Sequence, residues 1–198
     1  MIFLTVDESK IVTFLSSPRN HKQKNINDMK KIIYVILVIG LFYQSSVKAQ
    51  STLAQAQSHF IYNFTRFLDW PLECKSGDFV IGVYGNSDVY DELKQYVLDK
   101  TVNLQQIKVK FITNLDDAAK CHILFVGESK SREISAIKQK LGQSKTCIIS
   151  EKEGSIQDGA AINFVLVDNK LKYEVNTTTI QREGLKYSST LVTMAANK

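Results

Sequence analysis

The sequence predicts one three-layer α/β domain, with a mostly parallel sheet and an antiparallel C-terminal hairpin at one edge. Short, continuous apolar runs at Asp78–Gly85, His122–Gly127 and Thr146–Ser150 are the first observation. Strands of a parallel sheet read this way because helices cover both of their faces. The second observation is that amphipathic helical patterns separate these runs. The third is that Ala160–Val167 and Leu171–Val175 are joined only by Asp168-Asn169-Lys170, a turn too short for a parallel crossover. With 198 residues, 44% of them hydrophobic and 23% charged, the chain can bury such a core without a disulfide scaffold.

The N-terminal quarter has a different character. Residues 1–49 hold seven of the 25 Lys and Arg and three of the 20 Asp and Glu, leaving 18 bases against 17 acids in the rest. A near-neutral body has no electrostatic footprint for phosphate backbones, which disfavours nucleic-acid binding. Met29-Lys30-Lys31 leads into the apolar run Ile32–Tyr43, followed by a polar stretch and Val47-Lys48-Ala49. A basic start, a short apolar stretch and small residues before a cleavage point are the parts of a secretory signal peptide. A membrane-spanning helix needs about 20 apolar residues, more than this run offers. The expectation is that 1–28 is untranslated or unstructured, 29–49 is a signal peptide, and 50–198 is the mature domain in an oxidising compartment.

Ser51 or Thr52 can cap a first helix whose apolar face is Phe60, Ile61, Phe64, Phe67 and Leu68. Trp70-Pro71 should end it, because a residue before proline avoids helical geometry. After the Asp78–Gly85 strand, Ser87 or Asp88 can cap a helix running to about Asp99. Ile107–Thr113 alternates as a strand, Asn114–Lys120 reads as a helical turn, and His122–Gly127 is the next strand. A helix from Ser131 to Leu141 stops at Gly142, ahead of the strand Thr146–Ser150. Beyond the hairpin, Thr177–Ala196 reads as a final helix with Gly184 as its weak point. No internal repeat or linker divides the mature chain.

Catalytic patterns are scarce. The sequence has no GxSxG elbow and no P-loop, and Gly82 with Gly85 does not make a dinucleotide fingerprint. Gly85-Asn86-Ser87-Asp88 is a strand-to-helix turn at the sheet's C-terminal edge, where free N–H groups can bind an anion; a capped helix start is the plainer reading. His59 and His122 have no local partner at metal-ligand spacing, so no metal or other cofactor is expected. Asp116-Asp117 and the pair Glu151 and Glu153 read as solvated carboxylates at element ends. Tyr62 and Trp70 lie off the main apolar face of the first helix and could form a stacking shelf, although packing is the favoured role.

Five segments resemble the YfiR-like family of exported proteins: the aromatic helix and stop Phe60–Pro71; Val80–Gly85; Cys121–Val126; Gly159–Phe164; and Tyr173–Asn176 running into Gly184–Ser189 and Leu191. They occur in the family's order and span nearly all of the mature chain. The resemblance implies a Rossmann-like periplasmic regulator that is not an enzyme. It would bind the periplasmic part of an inner-membrane signalling protein, of diguanylate-cyclase or sensor-kinase type, and so tie envelope conditions to cyclic-di-GMP output. The alternative is a periplasmic small-ligand binding protein using Gly85, Asn86, Ser87 and Asp88. A homodimer is compatible with either. Trp70, Pro71 and Asn176 are expected to be architectural, Asn176 as a cap for the last helix. A sheet order of 2-1-3-4 would place Cys121 between Cys74 and Cys147, and a Cys74–Cys121 disulfide with Cys147 buried is the expected pairing.

Overall fold

The computed structural model describes residues 29–31, 33–34 and 52–197, and the chain divides into two units, Met1–Lys48 and Ala49–Lys198. In the first unit Met29–Lys31 and Ile33–Tyr34 are helical; the rest of the Ile32–Tyr43 run and the expected cleavage point after Ala49 lie outside the described residues. No helix among the described residues is long and apolar enough to cross a membrane.

The second unit opens with a helix over 52–67 (α1), followed by β1 (Leu68–Asp69), β2 (Phe79–Tyr84), α2 (Ser87–Tyr96), β3 (Thr101–Val102) and β4 (Gln105–Phe111). Next come β5 (Ile123–Val126), α3 (Ile134–Leu141), β6 (Cys147–Ser150), β7 (Ile162–Val167), β8 (Lys170–Val175), α4 (Thr177–Arg182), β9 (Lys186–Tyr187) and α5 (Ser189–Thr193). Seven strands form one sheet in the order β3-β4-β2-β5-β6-β7-β8. The run β4-β2-β5-β6-β7 is parallel, while β3 and β8 are antiparallel at the two edges. This is the predicted fold class, with the predicted 2-1-3-4 order of the main strands and the predicted edge hairpin.

Alternation along the strands divides the interior in two. Ile81, Val83, Ile123, Phe125, Ile149 and Phe164 face one core, shared with Ile61 and Phe64 of α1, Leu93 of α2, Ile180 of α4 and Leu191 of α5. Leu124, Val126 and Ile148 face the other, against Ile134, Ile137 and Leu141 of α3. Helices on both faces require strands apolar on both sides, and β5 and β6 are buried along their whole length.

The departures from the sequence reading are local. α1 ends at Phe67, and Leu68–Asp69 pairs antiparallel with Lys186–Tyr187 before the Trp-Pro stop is reached. That pairing also splits the expected final helix: Gly184 takes φ +75°, and β9 separates α4 from α5. The expected Ser131–Leu141 helix starts as a 3-10 turn over Glu128–Glu133. β4 begins at Gln105, because its first residues fold back on Thr101–Val102 through Asn103 at φ +53°.

Candidate functional site

A doubly wound sheet opens a crevice where neighbouring strands send their chains to opposite faces. Here that point lies between β2, whose chain continues to α2, and β5, whose chain continues to α3. The two turns are pressed together: a Cβ on Gly127 would stand 2.7 Å from the Gly85 carbonyl oxygen, and Ser129 Oγ donates to that oxygen at 2.9 Å. Gly85 has φ +83°, a backbone conformation that favours glycine, and a Cβ there would crowd the Lys130 and Ser129 side chains.

Asn86, rather than Ser87 or Asp88, caps α2, its Oδ1 accepting from Val89 N at 3.1 Å. Its Nδ2 donates to Glu151 Oε1 at 3.1 Å. Glu151 also accepts from Gln57 Nε2 of α1 at 2.7 Å and from Glu128 N, at the start of the 3-10 turn, at 2.8 Å. The backbone N–H that a crevice of this type offers to an anionic ligand thus holds the protein's own carboxylate. Ser87 is exposed and Asp88 half-buried beside this junction.

Glu151 joins α1, the β2–α2 turn, the β5 exit and the β6 exit. Sequence reading takes Glu151 as a solvated carboxylate and misses this role, because its donors come from segments 94, 65 and 23 residues away. Glu151→Ala is expected to destabilise the domain by about 2–3 kcal/mol, because three donors lose a charged acceptor together. Glu151→Gln should cost about half as much. Urea denaturation checks both, and a loss below about 0.5 kcal/mol for Ala would mean that the junction does not form in solution.

At the opposite edge, His122 Nδ1 accepts from Val80 N at 3.0 Å, so its proton sits on Nε2, which donates to Cys74 O at 2.8 Å. Its ring stacks on Phe79 at 4.4 Å. His59 is exposed on α1 with its ring 4.1 Å from Tyr96. The two histidines are not brought together, and no group of His, Cys, Asp or Glu among the described residues could hold a metal ion. Asp116 and Asp117 are separately paired, with Lys140 at 2.7 Å and Lys120 at 2.8 Å, and these lysines hold both carboxyls below their ordinary range. Trp70 is 4% exposed, its Nε1 donating to Lys145 O at 2.9 Å, which removes it from any stacking shelf. Asn176 Oδ1 accepts from Thr179 N at 3.0 Å and caps α4.

All three cysteines are free thiols, so the expected Cys74–Cys121 disulfide is not formed. The bend at His122 turns Cys121 into the core beside α3, where its Sγ lies 2.8 Å from the point a Cβ on Gly82 would occupy. Cys74 packs against the opposite core, as does Cys147. Burial pushes the Cys121 thiol up to about 11 and the Cys147 thiol up to about 12. Cys74, half-exposed, is raised less, mainly by burial and then by Glu73. Because the thiolate is the reactive form, iodoacetamide at neutral pH should label Cys74 first and Cys147 only on unfolding. Equal labelling of all three in folded protein would contradict this packing.

The fold and site define a doubly wound α/β domain whose switch-point crevice is closed by its own carboxylate. The chain belongs to the YfiR/HmsC-like family, whose model matches residues 54–196. Members of this family are periplasmic regulators of diguanylate cyclases. None of the curated proteins matches the chain. Two solved structures are similar to it at low identity. One is the ABC domain in complex with L-Trp from Streptococcus pneumonia, at 13% identity and TM-score 0.46, covering 60% of this chain and 54% of that one. The other is a conserved domain protein from Vibrio cholerae O1 biovar eltor, at 12% identity and TM-score 0.46, also covering 60% and 54%. The chain therefore spans about half the length of these two structures.

Proposed function

We propose that this chain is an exported, non-enzymatic regulator that binds the periplasmic part of an inner-membrane signalling protein, a diguanylate cyclase or a sensor kinase, and modulates its output. The family match over residues 54–196 is the observation that carries the reading. The filled crevice favours it over a small-ligand carrier working at Gly85–Asp88, since an anion entering there must displace Glu151 from Glu128 N and Asn86 Nδ2. The signal-peptide pattern before Gln50 supports export.

Crosslinking and capture in envelope membranes test the reading, with deletion of the gene as the second arm. The expected result is recovery of a membrane protein with a periplasmic domain and a cytoplasmic cyclase or kinase, together with a changed output of that enzyme in the deletion strain. The intact mass of the captured chain should begin at Gln50. Unchanged cyclic-di-GMP and kinase output in the deletion strain, with a metabolite raising the melting temperature of the purified protein, would instead support the ligand-carrier reading.

A further inference from the structure

β6 ends at Ser150, but β7 runs on to Val167. The β6–β7 pairing therefore stops at Ser150↔Asn163, while the β7–β8 pairing continues to Val167↔Lys170. In an antiparallel pair, alternate residues turn their N–H and C=O groups away from the partner strand. From Phe164 onward those groups of β7 point to a side where no strand lies among the described residues. The outer edge of β8 is treated differently. Ala196 N donates to Tyr173 O at 2.8 Å, and the Asn197 amide side chain bonds Val175 N and O at 2.9 and 3.0 Å. The chain's own C-terminal segment covers β8 there, whereas the inner edge of β7 stays open.

A groove of about 570 Å³ follows this open edge, lined by four consecutive residues, Phe164 to Val167. Side chains on one face of a strand come from alternate residues, so a run of four marks a groove along the strand's edge. Leu53 of α1 and Leu171 of β8 add apolar surface, and Leu166 is 65% exposed. Glu128, Glu151, Glu153 and Glu174 also line the groove, with no Lys or Arg among its lining residues. None of these four carboxylates makes an ion pair among the described residues. The donors that satisfy Glu151 are neutral, so its charge remains uncompensated. A concave site lined by one sign of charge concentrates its field on an entering ligand.

We infer that this groove is a strand-addition site for an extended segment of the partner protein, in which Lys or Arg alternates with apolar side chains. The segment would continue the line of β6, pair its backbone with the open edge of β7, set its apolar residues against Leu53 and Leu171, and direct its cations to the glutamates. Main-chain pairing supplies affinity in this mode, and the alternate side chains supply specificity. This rests on the reading of the chain as a regulator acting through a protein partner.

The test uses the full chain, purified as its host processes it, and a fluorescent peptide alternating lysine and valine. Comparison peptides replace lysine by glutamate, or carry N-methyl groups on the amides that would face β7. The lysine peptide should bind, weakening with salt, and both comparison peptides should bind about tenfold or more weakly, a difference of about 1.4 kcal/mol. The double variant Glu153→Lys/Glu174→Lys, at an exposed and a half-buried position outside both cores, should lose the lysine peptide by a similar factor at unchanged melting temperature. Equal binding of the N-methylated peptide, or no binding of the lysine peptide, would overturn the inference. Dimerisation that excludes the peptide would also overturn it, by giving the groove to a second copy of this chain. The regulator reading is judged separately. A double variant that still captures the signalling protein defeats the groove and leaves that reading intact. A wild-type chain that binds the peptide but captures no signalling protein defeats that reading, and with it the assignment of the segment to such a partner.

Discussion

Trp70→Ala is expected to lower the unfolding free energy by about 3–5 kcal/mol, the range for deleting a buried large aromatic. The indole is 4% exposed and meets Phe79 edge-on at a centroid distance of 4.9 Å. Its Nε1 donates to Lys145 O at 2.9 Å, tying the segment after β1 to the segment before β6. Truncation leaves a cavity beneath β2 and removes the donor from that carbonyl in one step. Trp70→Phe separates the two losses: it keeps an aromatic against Phe79 and should cost only about 1–2 kcal/mol, mostly the missing hydrogen bond. Chemical denaturation followed by circular dichroism measures both without relying on the lost fluorophore. If Trp70→Ala kept wild-type stability but lost partner binding, the residue would be part of the interface and not of the frame.

The sheet was legible because its signal is local and strong. β5 and β6 read as unbroken apolar runs since both faces are covered, and that pattern survives without knowledge of neighbours. The Asp168-Asn169 turn was equally legible; both residues take positive φ, at 51° and 57°, as a two-residue hairpin turn demands. What escaped was set by long-range pairing. Leu68–Asp69 continues a helical pattern, and only Lys186–Tyr187, more than a hundred residues later, converts it to a strand. The same pairing broke the last helix. The candidate site was half legible: Gly85-Asn86 was found as a turn near the crevice, but nothing local in Glu151 announces that Gln57, Asn86 and Glu128 converge on it. The thiols were misassigned because strand order fixes which cysteines are adjacent, but not which face each one joins. The bend at His122 decided that for Cys121.

Phe64→Ala is the other substitution expected to cost about 3–5 kcal/mol, and it should act on a different part of the molecule. Phe64 is fully buried on α1, with ring centroids 6.1 Å from Phe60, 6.0 Å from Phe164 and 4.9 Å from Tyr173. These contacts fasten α1 to the β7–β8 hairpin, which extends past the end of β6 and has less sheet around it than the central strands. Tyr173 passes the constraint on, since its hydroxyl donates to Leu191 O of α5 at 2.8 Å. An alanine at this position empties the centre of that aromatic cluster, and Leu should restore most of the lost stability because it refills much of the volume. The loss should be uneven. Hydrogen exchange is expected to quicken in α1, β7, β8 and α5, while β2 and β5, each paired with a parallel strand on both sides, keep their protection. Because Phe164 and Leu53 line the edge groove, the same variant should weaken binding of the lysine–valine peptide even where most molecules remain folded. Uniform acceleration of exchange over the whole sheet would show that the aromatic cluster belongs to one undivided cooperative core, and that α1 and the hairpin are no more separable from β2 and β5 than those strands are from each other.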